Sequence, residues 1–417
     1  MDKYQLTRQM RLLQEAAEVD PALAEVVVSY TRLCTDRGVE PEFCLNEEDA
    51  CEALKNASWF QKQFLDRNHN LGARLSALFV NFGRELSRRR VPVLYSPEDL
   101  AFQLGISMRQ LNWLAFAKTG RYTKFEIAKA NGKTRVIHAP ASKLKTLQRW
   151  IAERILLKSR PHKYATAFFP GSTLAANASP HVSRQIVVRM DLKDFFPSIT
   201  FMQVRRVFSS FGYTHQVSRL LANLCCHEGR LVQGAPSSPT LSNLVAKRMD
   251  LRITGIKKSL ISRKPEDGRL KFYYPRYADD LIFSSDHEEV LGILPFIRQI
   301  VREEGFEVNE DKTRIMRSGR QQQVTGLVVN QRINVPGHQY RLIRTVLHDI
   351  QSRGVEAAME RWQAAQGNKM ESAFHFRQVL LGKIAFIRSV NRDKASKLLD
   401  SLSAIDFADN NKTSGVF

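Results

Sequence analysis

Apolar residues recur every three or four positions through "LLQEAAEVDPALAEVVVSYTRL" and "EEDACEALKNASWFQKQFLDR". That is the helical period, so residues 1–86 read as mostly helical. Arg88-Arg89-Arg90 followed by Val91-Pro92 marks a boundary. "SPEDLAFQLGISMRQLNWLAF" predicts a helix opening on a capping box, with Ser96 as N-cap and Asp99 three residues on. "YTKFEIAKANGKTRVIHAP" reads as two strands joined at Ala130-Asn131-Gly132, a hairpin signal. "SKLKTLQRWIAERILLK" has the spacing of an amphipathic helix. "RQIVVRMDLKDFF" and "LKFYYPRYADDLIFSS" are rich in β-branched and aromatic residues and read as strands. "EEVLGILPFIRQIVREEG" is a helix that Pro295 interrupts or starts. From residue 341 the helical period returns. Ile343, Val346, Leu347 and Ile350 share one face near Arg341, Arg344 and His348, and Leu380, Ile384 and Ile387 form a later core stripe.

At 417 residues the chain has room for two or three domains. No apolar run approaches a membrane span, and the N-terminus lacks the layout of a secretory signal. Cys34, Cys44, Cys51, Cys225 and Cys226 are scattered, with no CxxC pair or zinc spacing. A reduced, cytoplasmic protein without structural zinc is the expectation. The net charge of +21 is unevenly spread. Residues 1–90 hold 13 basic and 14 acidic side chains, and the rest hold 50 and 28, a net of +22. A basic excess confined to 91–417 points to a polyanionic partner, most simply nucleic acid. The near-neutral first 90 residues read instead as a helical docking surface for another protein.

Asp279-Asp280 stands at a strand end, and 88 residues earlier the run Ile186-Val187-Val188 leads to Asp191. One acidic pair is ordinarily a solvated turn. Two strands that each deliver carboxylates at one end can share divalent cations, which offset the repulsion. Mg²⁺ prefers hard oxygen ligands and keeps room for waters and substrate phosphates. Between the two acidic strands lies "QGAPSSP", Gln233–Pro239, whose Gly and Pro residues fix an irregular loop. The Ser, Thr and Asn groups around it are placed to cap the helix that follows.

In this order the motifs resemble the reverse transcriptase family, and within it the bacterial retron enzymes. "DLKDFFPSI" is similar to the family's first palm motif, "QGAPSSP" to its template and nucleotide loop, and "YADD" to its catalytic box. "GFEVNEDKTRIM" is similar to the next motif, where Lys312 matches a lysine near the triphosphate. "NASPH", Asn177–His181, and "VTG", Val324–Gly326, are typical of retron enzymes. The resemblance covers roughly residues 91–400 and implies an α+β right-hand polymerase. Its antiparallel-sheet palm would span 181–335 with interleaved segments, after fingers at 91–180 and before a helical thumb at 336–417. Residues 1–90 would be a helical N-terminal extension.

The resemblance implies an RNA-directed DNA polymerase using two Mg²⁺ ions and dNTPs. Asp191 and Asp279 would be the firmest metal ligands; Asp280 belongs to the site, and whether it ligates directly stays open. Asp194 would be structural or near the triphosphate. Phe196 matches the aromatic under the incoming sugar, where a ring would collide with a ribose 2′-hydroxyl; as an alternative, Phe195 and Phe196 are both core. Gln233 and Gly234 would line the nucleotide site. Lys129, Lys133 and Arg135 suit triphosphate oxygens, while for the two lysines a grip on template backbone is the alternative. Asn177, His181, Val324, Thr325 and Gly326 would recognise the cognate RNA; His181 is otherwise a structural histidine, and Val-Thr-Gly a strand end and turn. The implied partners are a cognate noncoding RNA, its RNA–DNA hybrid product (msDNA) and an effector protein in antiphage defence, with no membrane. A guanosine 2′-hydroxyl would prime synthesis. A group II intron-like or orphan reverse transcriptase, and a noncatalytic RNA-binding scaffold, are the alternatives.

Overall fold

In a computed structural model of the chain, the described residues are 82–128, 134–261, 272–367 and 370–407. The expected N-terminal helices up to residue 81, the hairpin tip at 129–133 with Lys129 and Lys133, and the last ten residues lie outside them.

The strands, in chain order, are β1 (Tyr122–Ala128), β2 (Thr134–Pro140), β3 (Ile186–Leu192), β4 (Cys226–His227), β5 (Arg230–Leu231), β6 (Arg276–Tyr277), β7 (Asp280–Ser285), β8 (Val308–Arg317), β9 (Gln323–Val324) and β10 (Leu327–Val328). All their pairings are antiparallel. With the helices between them, this is an α+β fold. By contacts the chain forms two compact units that take alternating stretches of sequence.

The first unit has described residues 82–163, 194–248 and 304–306. Its first helix, Pro97–Gln103, starts as the capping box requires: Asp99 Oδ2 accepts from the Ser96 N–H at 2.8 Å. The β1–β2 hairpin is in register from Tyr122↔Pro140 to Ala128↔Thr134. The amphipathic helix Ser142–Arg154 buries Leu144, Leu147 and Ile151. After β3 the chain does not remain extended, as "DLKDFF" suggested. Asp194 turns into the left-handed region at φ +44° and a short helix, Phe195–Ser198, begins. The helix after the Gln-Gly-Ala-Pro loop, Ser238–Val245, has Ser237 at its N-cap without a side-chain capping bond. Pro239 in its first turn sets the start instead.

The second unit comprises Tyr164–Lys193, Met249–Glu303 and the chain from Glu307 on. Its sheet has the order β6-β7-β3-β8. Pro295 starts the helix Leu294–Glu303 after a 3₁₀ turn over Glu288–Ile293. The helices Gly337–Arg353, Val355–Gln366, Ala373–Arg388 and Arg392–Ser403 follow. Ile343, Leu347, Leu380, Ile384 and Ile387 are buried in one core with Val187 of β3 and Ile282 of β7. The helical stripes read from periodicity are therefore what the back of the sheet packs on. Among the described residues, no helix is long and apolar enough to cross a membrane.

Candidate active site

β3 is buried almost throughout, which suits a central strand of Ile, Val and Met. Antiparallel pairing sets Asp191 directly opposite Asp280 on β7. Like charges in that position repel. On its other side β3 pairs with β8, and the register shifts between Arg189 and Asp191. The extra residues of that shift lie on β8, between Asn309 and Arg314, and a bulge re-aims the side chains it carries, Lys312 among them.

Asp279 sits in the two-residue turn between Tyr277 and Asp280. Its carbonyl accepts from the Leu192 N–H at 2.9 Å, which ties the turn to β3 beside Asp191. Ala278, the other turn residue, has φ +57°, a region that favours glycine. Such strain persists where the surroundings over-determine the backbone, and here Arg276 does so. Its fully buried guanidinium donates from Nη1 to the Ala278 carbonyl at 2.9 Å. It also forks onto Asp250 of the helix Lys247–Ile261, Nε to Oδ1 at 2.9 Å and Nη2 to Oδ2 at 2.8 Å. The Tyr274 hydroxyl donates to Asp250 Oδ1 at 2.7 Å, and burial holds that hydroxyl well above its ordinary pKa. Sequence reading missed Arg276 and Asp250. Their signal was a charged residue inside an aromatic strand run and another on the apolar side of a helix, each needing a buried partner.

Asp280 and Asp191 are each gripped by a cationic side chain. Arg189, two residues before Asp191 and so on the same face of β3, donates Nε to Asp280 Oδ1 and Nη2 to Oδ2, both at 2.9 Å. Lys312 of β8 places Nζ 2.7 Å and 3.0 Å from the oxygens of Asp191. The Asp191 side chain is 7% exposed and that of Lys312 58%. The Asp280 carboxyl is raised to about 6: burial pushes it up most, Arg189 opposes the rise, and the charges of Asp279 and Asp191 add to it. Among the described residues, no three His, Cys, Asp or Glu side chains form a ready cation cage. The donor chemistry nonetheless fits a hard divalent ion: Asp191 and Asp279 offer carboxylate oxygens on neighbouring backbone, and among the described residues the cation on Asp191 is the exposed Lys312. Asp280 fits less well, because Arg189 engages both its oxygens.

The first unit carries the other described residues expected at the nucleotide. The Gln233 carbonyl accepts from the His138 N–H of β2 at 3.2 Å, which docks the loop on the hairpin that bears exposed Arg135. Gly234 has φ +111°, and a Cβ there would stand 2.9 Å from Ile137 Cγ2 and 3.1 Å from the His138 carbonyl oxygen. Only glycine allows that approach. Phe195 is core, 5.5 Å from Phe306 between ring centres, whereas Phe196 is half-buried. The alternative that both rings are core is thus answered for Phe195 alone.

The residues expected to read RNA are placed differently. Asn177, His181 and Val324 are fully buried, so their side chains offer no surface to a nucleic acid. The reason is local: the helix Leu174–Ala178 and the 3₁₀ turn Ser179–His181 pack Ala178 into the core that holds Val324. Thr325 and Gly326, half-buried, form the turn between β9 and β10, with φ +45° and +83°.

The family model for reverse transcriptase (RNA-dependent DNA polymerase) matches residues 127–363. The retron Mx65 reverse transcriptase of Myxococcus xanthus is 33% identical over 370 residues, covering 83% of this chain and 79% of that protein. The retron Ec86 reverse transcriptase of Escherichia coli is 34% identical over 279 residues, 66% of this chain and 84% of that protein. Among solved structures, telomerase from Candida albicans is similar with a TM-score of 0.37 and 12% identity, over 80% of this chain and 66% of that one.

Proposed function

The chain belongs to the reverse transcriptase family, as an RNA-directed DNA polymerase of the retron type, and on that premise we propose that it copies part of a cognate structured noncoding RNA into single-stranded DNA. The observation that carries the reading is the pairing of Asp191 with Asp280 and the tie of Asp279 to Leu192, which gather three carboxylates at one end of a sheet.

Reverse transcriptases use divalent metal ions, and we assign Mg²⁺ here because the donors are carboxylate oxygens alone. Asp191 and Asp279 would hold the ions. Bound there, they would activate the attacking hydroxyl and neutralise the leaving pyrophosphate. Asp280, held by Arg189, fixes the strand end and adds negative field. Lys312 is exposed enough to leave Asp191 for a triphosphate oxygen. By likeness to the family, Arg135, Gln233 and Gly234 are assigned to the nucleotide and Phe196 to exclusion of a 2′-hydroxyl. A guanosine 2′-hydroxyl of the RNA as primer, the branched RNA–DNA product and an effector partner are expectations that rest on likeness to retron enzymes.

The test is extension of RNA co-purified with the protein, using dNTPs and Mg²⁺, for wild type and Asp279→Asn. Labelled DNA covalently attached to RNA in the wild type alone is the expected result. Equal product from both proteins would sink the reading, and so would no product from either.

A further inference from the structure

The two retron-type stretches, "NASPH" and "VTG", are 143 residues apart from the end of one to the start of the other, yet they meet inside the second unit. Asn177 Nδ2 donates to Thr325 Oγ1 at 3.4 Å. On its other side, the Asn177 amide oxygen accepts from the Thr166 hydroxyl at 2.7 Å. That hydroxyl also lies 3.1 Å from the Arg276 carbonyl, and the Thr166 N–H donates to the same carbonyl at 2.8 Å. Arg276 is the residue that pins the Asp279 turn. Four residues beyond Asn177, His181 Nδ1 is 2.7 Å from the Ser284 hydroxyl, on the strand that starts at Asp280. One short segment thus reaches both strands of the acidic hairpin, Asn177 through Thr166 to β6 and His181 directly to β7.

The choice of Thr325 carries particular weight. A β-branched residue at φ +45° is strained, and glycine or asparagine would suit that turn better. What threonine adds is the hydroxyl that Asn177 reaches. His181 repeats the pattern: it is fully buried and its Nε2 has no hydrogen-bond partner among the described residues, a cost accepted while Nδ1 engages Ser284. Ala178 and Val324 lie in the same core as Val187 of β3 and Ile282 of β7, so apolar packing joins to β3 the segment whose polar links reach β6 and β7.

We propose that Asn177, Thr325 and His181 are positioning residues that form an internal brace, fixing the acidic hairpin against β3 rather than touching RNA. The inference rests on the assignment of Asp191 and Asp279 as the polymerase carboxylates. It makes the Asn177–Thr325 contact a device for catalytic geometry, and it leaves RNA discrimination to exposed residues.

Thr325→Gly is the informative variant, since it removes the hydroxyl and relieves the backbone. Its thermal midpoint should not fall. Steady-state extension of a generic primed RNA template should lose about tenfold in kcat, as for other outer-layer positioning groups. KM for dNTP and Kd for the cognate RNA should stay within about twofold, because neither ligand is touched. Thr325→Ser, which keeps the hydroxyl, should restore kcat. Asn177→Ala should lower kcat likewise, and amide exchange at Thr166 and Arg276 should quicken in both Asn177→Ala and Thr325→Gly. An unchanged kcat in Thr325→Gly overturns the brace, as does a tenfold or greater rise in RNA Kd with kcat on saturating template intact. Should the wild type fail to extend any template, the polymerase reading falls. The exchange rates would then decide the brace alone: quickened they support it, unchanged they remove it.

Discussion

Arg189 takes both oxygens of Asp280 in a two-pronged grip, each prong 2.9 Å long, while Asp191 directly opposite is held by Lys312. The two acids that face each other are thus neutralised by unequal means. The Arg189 fork is geometrically fixed, whereas the lysine is a flexible point charge on a long stem. On the proposed ligand assignment, Asp191→Asn and Asp279→Asn should lower kcat by about a thousandfold or more, since each would remove charge from the proposed cation site. Asp280→Asn should cost about tenfold to a hundredfold, the loss expected of an orienting group. Arg189→Gln leaves a nearly buried carboxylate without its fork. With the Arg189 side chain 42% exposed, solvent screens part of that loss, and about 1–2 kcal/mol is expected in urea unfolding. Adding Asp280→Asn to Arg189→Gln should recover most of it.

Phe196 differs from its neighbour in being half-buried while Phe195 is core. If its ring lies under the incoming sugar, Phe196→Val opens space for a 2′-hydroxyl. The ratio of kcat/KM for a ribonucleotide over the matching deoxynucleotide should rise about tenfold to a hundredfold, the range one side chain's steric exclusion reaches. An unchanged ratio removes Phe196 from that role.

Gly234 meets the hairpin too closely for any side chain. Gly234→Ala must bear both an unfavourable φ and a clash with Ile137 and the His138 carbonyl, together about 2–4 kcal/mol. The loop should shift rather than the unit unfold, so KM for dNTP should rise while the thermal midpoint falls by only a few degrees.

Arg276 and Asp250 form a pair with both side chains fully buried. Arg276→Lys keeps the charge but cannot make the fork to Asp250 and reach the Ala278 carbonyl together. A loss of about 3 kcal/mol in unfolding free energy is expected, with kcat falling further than KM changes. Equal kcat in the variant would show that the Ala278–Asp279 turn holds its shape without the guanidinium.

What the sequence made legible was whatever a local period or motif encodes. β3 and β7 were readable because Val, Ile and Phe cluster there, and Ile343, Leu347, Leu380 and Ile384 because helical spacing repeats. The carboxylates were readable through the order of short motifs. The register that sets Asp191 opposite Asp280 was not, since it joins stretches 89 residues apart. Arg276–Asp250 escaped notice because a charged residue is by default an exposed one. Asn177 and His181 were assigned to RNA through their motif, with a structural histidine as the alternative for His181, and no periodic signal marks the buried hydrogen-bond network in which they lie.

The burial of His181 yields a prediction about acid stability. Burial, with the charge of Arg184 adding to it, pulls the imidazole down to about 3, against about 6.5 in an unfolded chain. Between those values the unfolded state binds a proton that the folded state refuses, so acid favours unfolding. The contribution is therefore fully present above about pH 6.5 and is lost as pH falls toward 3, at up to about 1.4 kcal/mol per pH unit. From about pH 7.5 to pH 5 the wild type should lose about 2 kcal/mol through this group alone. His181→Phe removes the titration and also the link to Ser284, so it should be less stable at neutral pH but show a shallower decline in acid. Urea unfolding at several pH values measures both slopes, and their difference cancels the other histidines. Parallel slopes would mean that His181 takes up a proton while folded, and the neutral link to Ser284 would fall with that result.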